Sequence, residues 1–374
     1  MATDTGADAD GGRHAEAASE PHRPSTRRRV VQTAISLAVV VAIFVFVLPQ
    51  TADFSKVWKE IGAMTSLELA TLALVGIWNQ LTYAFVWMAS LPGLSFGQGT
   101  VVSEAPSAVA NTVPGGSYIS IGVAYAMFAS WGFKRSSITL ALLVSGIWNN
   151  FAKLALPVLA LVSLALTGRV TTARIAAGGA GIAGLLGAVV VFFLIFRTPA
   201  TAARLGILAG KAVSPFLRLI RKPPARGWDI AVTRFREKTI GLLSRRWHAL
   251  TGATLVSHVS LYLVLLLTLR HIGVSEAEVS WPEVLAAFAF ARLLTAVPLT
   301  PGGLGVVELA LSTALVAAGG DKAQVVGAVL VYRGLTYVLT IPLGVICWGY
   351  WRRNTSWRRA PGSVSGQVEP SPAA

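Results

Sequence analysis

Pro298-Leu299-Thr300-Pro301-Gly302-Gly303-Leu304-Gly305-Val306-Val307-Glu308 interrupts an otherwise apolar region running from about 283 to 318. Proline removes a backbone donor and clashes with the preceding helical turn, and glycine carries a high entropic cost when ordered, so no helix continues through this stretch. On each side lies an apolar arm of about 13 to 16 residues. At roughly 1.5 Å per residue such an arm reaches only about 20 to 24 Å, which is short of a hydrocarbon core of about 30 Å. A second region, about 101 to 130, is broken in the same way at Val113-Pro114-Gly115-Gly116. Both are read as re-entrant helical hairpins, which enter a membrane and turn back.

Around these breaks lie six continuous apolar segments, at about 30 to 48, 67 to 90, 137 to 167, 174 to 196, 249 to 270 and 325 to 351. Of 374 residues 54% are hydrophobic and 13% charged, against roughly 25% charged in ordinary soluble domains. Mean hydropathy is +0.62. The chain is therefore expected to be an all-α integral membrane protein with about six spanning helices and the two hairpins. Residues 1–26 and 352–374 read as disordered cytoplasmic tails, 27–351 as a polytopic membrane domain, and 197–248 as its basic cytoplasmic loop. The apolar run from Val30 to Leu48 is longer than a signal-peptide core and lacks a small-residue cleavage site, so it reads as a retained span.

The net charge of +15 sits in loops beside spans, which is a topology signal rather than a nucleic-acid footprint. Placing both termini in the cytoplasm puts 23 of the 32 Lys and Arg inside, twelve of them between Arg197 and Arg246. The same topology makes the first hairpin enter from the cytoplasm and the second from outside. Pro114-Gly115-Gly116 is followed 43 residues later by Pro157, and Pro301-Gly302-Gly303 is followed 41 residues later by Pro342. This spacing predicts an inverted repeat, a plan in which binding sites lie near the midplane at broken helices. In the basic loop, 228–246 carries Trp228, Val232, Phe235, Thr239 and Leu242 at helical spacing. It reads as an amphipathic interfacial helix or, equally, as a solvated loop.

Ionisable groups inside a bilayer cost about 2.5 kcal/mol or more and usually face protein or a wet cavity. Five stand out: Glu104, Lys153, Arg292, Glu308 and Arg333. Two readings are open. In one, Glu308 pairs with Arg292 or Arg333, and Glu104 with Lys153, simply holding helices together. In the other, the group lines a cavity and its surplus positive charge faces an anionic headgroup. Arms beginning at Gly115 and Gly302 would aim helix N-termini at the membrane interior, and Gly115, Gly116, Gly302 and Gly303 would let a phosphate approach the backbone. Asn79, Asn149 and Asn150 read mainly as interhelical glue, and His258, alone in its span, as a candidate proton relay. No catalytic set, no cofactor motif and no metal-ligand spacing is present in the sequence, and Cys347 has no cysteine partner.

Asn111-Thr112-Val113-Pro114-Gly115-Gly116, the Pro298–Glu308 string and Tyr332-Arg333 together resemble the lysylphosphatidylglycerol synthase transmembrane region, a flippase-like domain family, over roughly 30 to 351. The resemblance implies a multispan domain of the cytoplasmic membrane that moves or presents charged lipids. Bifunctional members carry a cytosolic aminoacyl transferase domain. About 23 residues follow Trp351, so a stand-alone member is expected and lysyl transfer is not carried over. The expected function is a lipid flippase-like transporter of a phospholipid or polyprenyl-phosphate headgroup, without enzymatic activity. The alternative is a scaffold or partner subunit of a cell-envelope lipid enzyme. Membrane lipids are the expected partners, together with a homo-oligomer or an envelope enzyme and without nucleic acid.

Overall fold

The computed structural model describes residues 54–113, 116–167, 197–219, 227–295, 300–360 and 362–364, with isolated positions between 183 and 195. The described residues are helical, in eleven α-helices. α1 is Phe54–Gly62, α2 Ser66–Ser90, α3 Phe96–Thr112, α4 Gly116–Ser130, α5 Arg135–Leu166, α6 Pro199–Leu219, α7 Trp228–Ile272, α8 Trp281–Leu294, α9 Val306–Ala317, α10 Lys322–Arg333 and α11 Thr340–Arg353. A 3-10 turn, Pro301–Gly303, lies between α8 and α9, and a π-helical turn, Gly334–Val338, joins α10 to α11.

Side chains set the helix starts by satisfying the free N–H groups of the first turn. Capping boxes open α2, with Thr65 and Glu68, α3, with Ser95 and Gln98, and α8, with Ser280 and Glu283. In the α8 box the Ser280 N–H donates to Glu283 Oε2 at 3.0 Å. At the other end of α7, Gly273 takes a positive φ of 105° and closes the last turn.

Among the described residues, four stretches are long and apolar enough to cross a membrane: Ser66–Ser90, Arg135–Leu166, Ser244–Ile272 and Lys322–Arg353. They contain or closely match the spans read at 67 to 90, 137 to 167, 249 to 270 and 325 to 351. The span read at 30 to 48 lies outside the described residues, as does most of the one at 174 to 196. Large apolar side chains point outward along these rods, among them Leu74 of α2, Leu166 of α5 and Ile346 of α11, while Asn79, Gln80, Glu104, His258 and Glu308 are buried. Apolar outside with polar inside suits a lipid surround, because water would penalise so much exposed hydrocarbon.

Both glycine breaks produce helix pairs that fold back on themselves, α3 against α4 and α8 against α9. The first arm begins at Phe96, five residues before the apolar region read from the sequence, because the Ser95/Gln98 capping box starts the helix upstream of the hydrophobic run. The arms of the second pair run 14 and 12 residues. α2 and α7 pack along one another, as do α3 and α11, and α5 lies against α8. One apolar core joins α7, α8, α9 and α10 around Leu265, Phe288, Leu311 and Val329. A second lies around Met127, Phe128, Trp131 and Phe133.

Two sequence readings are revised. Residues 228–246 form the first part of α7, a single helix of 45 residues, about 68 Å long, rather than a separate surface helix. The segment has no proline, so nothing ends the helix before the apolar run begins. Its Thr239 and Leu242 are buried, and α6 packs along α7. Residues 354–360 and 362–364, read as part of a disordered tail, instead fold against the turn between α4 and α5. There the Arg359 and Gly362 N–H groups donate to Ser130 O and Gly132 O at 3.1 and 2.8 Å, and Trp357 meets Trp131 edge to face. Two aromatic rings and two backbone bonds outweigh the polar composition of that segment.

Candidate functional site

A cavity of about 420 Å³ opens between α3, α5, α8, the Pro301–Gly303 turn and the π-helical turn. Both glycine breaks reach it. Asn111, near the end of α3, and Ser117, in the first turn of α4, come from the first pair. Thr295, Thr300, Gly302, Gly303 and Val307 come from the second.

Arg333 ends α10 and is fixed by three contacts. Its Nε donates to Glu308 Oε1 at 2.7 Å, and its Nη2 donates to the Gly302 carbonyl at 3.2 Å. Its guanidinium carbon lies 4.4 Å from the centroid of the Tyr337 ring. The Tyr337 hydroxyl in turn donates to the Asn111 carbonyl at 2.6 Å, tying the first break to the second. The π-helical turn sets this arrangement, because it alters the side-chain register between Arg333 and Tyr337. Such π insertions recur at functional positions. Glu308 is 1% exposed, in the first turn of α9, where the helix dipole favours a carboxylate.

The residues read from the sequence separate into three groups. Lys153, Arg292 and Arg333 line the cavity together with Gly302 and Gly303, and among the described residues no carboxylate lines it. Glu308 stands just behind, neutralising Arg333. Lys153 and Arg292 have no carboxylate within 4.0 Å among the described residues, and Arg292 Nε is buried without a hydrogen-bond partner. The cavity therefore carries two uncompensated positive charges, an arrangement chemically suited to a phosphate or other oxyanion.

Glu104 lies elsewhere. It does not line the cavity and forms no ion pair with Lys153 among the described residues. Gly115 lies outside the described residues, and Gly116 is filled on its side-chain face by the backbone of Val109 and Ala110. Gly302 is likewise filled on its side-chain face, by the Tyr337 ring and Asn111. Its backbone serves the site through the carbonyl that Arg333 holds. The second arm starts as an α-helix at Val306, after the three positive-φ glycines Gly302, Gly303 and Gly305.

Asn79 joins helices, its Nδ2 donating to Ser257 O of α7 at 3.3 Å. Asn149 lines the cavity, whereas Asn150 bonds only within its own helix. His258 is buried, with its Nδ1 2.9 Å from Thr254 O. Sequence reasoning passed over Tyr83 and Tyr337, which both line the cavity. The available signal was a hydroxylated aromatic inside an apolar span, where the O–H needs a partner.

No curated protein matches the chain. Residues 33–344 match the model of the lysylphosphatidylglycerol synthase transmembrane region. Most of the chain is covered, and the matched stretch contains the Pro301–Gly303 turn, Glu308 and Arg333; the chain belongs to that family.

Proposed function

We propose that the chain is a flippase-like transporter, rather than an enzyme, that passes an anionic lipid headgroup through the cavity while the tails stay in the bilayer. The observation that carries this reading is the pair of uncompensated cations, Lys153 and Arg292, beside an Arg333 already neutralised by Glu308. An unpaired charge is costly within a membrane, so two of them facing one polar cavity favour an anion as occupant. The basic-residue asymmetry supports a cytoplasmic-membrane orientation with both termini inside. In that orientation the two helix pairs are re-entrant hairpins of opposite insertion. Asn111 of the first pair lies beside Gly302 of the second, and the Tyr337 hydroxyl holds the Asn111 carbonyl, so the two broken segments meet, as an inverted-repeat transporter would require.

Reconstitution into vesicles with fluorescently labelled phosphatidylglycerol, read by chemical quenching of the outer leaflet, tests the proposal. Labelled lipid is expected to exchange leaflets faster than in protein-free vesicles. Arg292→Ala and Lys153→Ala each remove a charge-assisted contact of about 1.5 to 3 kcal/mol, so exchange should slow by roughly tenfold or more. Full exchange in the double variant would sink the site assignment. Co-purification with a lipid-modifying enzyme, without lipid movement by the chain alone, would instead favour the scaffold reading, with α6 and the first part of α7 as the docking surface.

A further inference from the structure

The neutral polar side chains of the cavity are of two kinds. Ser107, Thr295 and Thr336 donate their hydroxyls to carbonyls of the preceding turn, Ser103 O, Arg292 O and Tyr332 O. Thr300 donates to Leu304 O, and Tyr337 to Asn111 O. These donors are spent within the protein. The side-chain amides of Asn111 and Asn149 are not: both line the cavity and neither makes a hydrogen bond among the described residues. Asn79, by contrast, spends its amide nitrogen on a bond between helices, and Asn150, the next residue of α5, spends its own within the helix. An amide left unpartnered inside a membrane is costly, so two that face one cavity favour an occupant that bonds them.

Asn111 lies in the last turn of α3, held through its own carbonyl by Tyr337 and standing beside Gly302. Asn149 lies on α5 one turn before Lys153, and both line the cavity. Side chains four residues apart on a helix leave it about 5 to 6 Å from one another. One face of α5 thus offers a cation for a phosphate and, beside it, an amide for a group a few bonds away. An amide presents two N–H donors and a carbonyl acceptor, so it both gives to and takes from a hydroxyl. Tyr83, Phe288 and Tyr332 also line the cavity, and their rings offer apolar faces on which the C–H face of a sugar ring packs. Since no carboxylate lines the cavity among the described residues, an ammonium on the headgroup would meet Lys153 and Arg292 and no opposite charge. A volume of about 420 Å³ falls within the roughly 300 to 1,000 Å³ of small-molecule pockets, and leaves room for a ring as well as a phosphate.

We propose that the cavity selects a headgroup whose phosphate carries a ring of hydroxyls, a sugar or cyclic-polyol phosphodiester, and that Asn111 and Asn149 are its specificity-determining residues. The proposal rests on the transport reading and names its substrate class. Lys153 and Arg292 take the phosphate, while Asn149 and Asn111 take hydroxyls from α5 and α3. A headgroup of equal charge without hydroxyls is discriminated against, because both amides stay unpaired when it binds. An inositol phospholipid and a glycosyl phosphate on a polyprenyl chain share this chemistry.

Calorimetric titration of the full chain in detergent tests this with three short-chain ligands: dihexanoylphosphatidylinositol, citronellyl phosphoglucose and dihexanoylphosphatidylpropanol, the last an anionic diester without a headgroup hydroxyl. The inositol lipid or the phosphoglucose should bind roughly tenfold or more tighter than the propanol lipid, the sum of two neutral hydrogen bonds. Whichever of the two binds tighter identifies the source. Asn149→Leu and Asn111→Leu should each reduce the preference by about threefold to tenfold, and Asn150→Leu should keep it. Should Asn111→Leu not fold, because it stands against Gly302, Asn149→Leu decides alone. Equal affinity for all three ligands, or a preference that Asn149→Leu leaves intact, overturns the proposal. The two ideas fail separately. Labelled lipid that crosses vesicles without any preference for hydroxyls leaves the transporter standing without this specificity. A preference for hydroxyls with no lipid movement removes the transporter and keeps the binding site.

Discussion

Glu308→Ala is expected to destabilise the protein by about 3 to 5 kcal/mol, the cost of leaving a buried charge without its partner. The Arg333–Glu308 pair is 2.7 Å long, with side chains 12% and 2% exposed. Without Glu308, Arg333 keeps its charge, its bond to Gly302 O and its place on Tyr337, but its Nε faces an apolar gap. Removing both charges in Glu308→Ala/Arg333→Met should therefore cost less than Glu308→Ala alone. The thermal midpoints of the three proteins in detergent give the order, and the double-mutant cycle gives the coupling. A double variant less stable than Glu308→Ala would show that the pair contributes nothing as a pair.

Gly302→Ala is expected to cost about 2 to 5 kcal/mol and to slow lipid movement with it, the sum of left-handed backbone strain and overpacking. Gly302 has a φ of 57°, and a Cβ there would run into the Tyr337 ring and approach Asn111 Oδ1 at 2.7 Å. Both neighbours are committed: Tyr337 to the Asn111 carbonyl and to Arg333, and Asn111 to the end of α3. The added methyl can be relieved only by pulling the two helix pairs apart, which also moves the carbonyl that Arg333 holds. Gly334→Ala is the matched control. Gly334 is right-handed, and its Cβ would meet nothing within 4 Å, so the change should stay within about 0.5 kcal/mol. Equal midpoints for the two alanine variants would show that the contact at Gly302 is not what holds the pairs together.

How much of the site was legible depended on the residue. A charged side chain in an apolar run is visible wherever it falls, so Glu104, Lys153, Arg292, Glu308 and Arg333 were all found. Their grouping was legible only in part: Glu308 was read as pairing with Arg292 or Arg333 and pairs with Arg333, whereas the pair read between Glu104 and Lys153 does not form among the described residues, and Lys153 and Arg292, 139 residues apart, meet only through helix packing. Tyr337 and Asn111 were less conspicuous because neither is costly until it is buried. The glycines show the same division. Their number and clustering announced a break, but the Tyr337 ring packed on the side-chain face of Gly302 is a product of the fold.

Composition and apolar run length settled the membrane environment, four of the described spans and the two broken helix pairs, because these follow from local hydrophobicity and from the helix-breaking chemistry of proline and glycine. Helix packing decided the rest. It made 228–246 one rod with the following span, folded residues 354–360 and 362–364 onto the turn between α4 and α5, and brought Lys153 and Arg292 into one cavity while setting Glu104 a turn behind it. Those outcomes depend on which faces meet across the bundle, and a run of apolar residues that is hydrophobic all round carries little information about which face that will be.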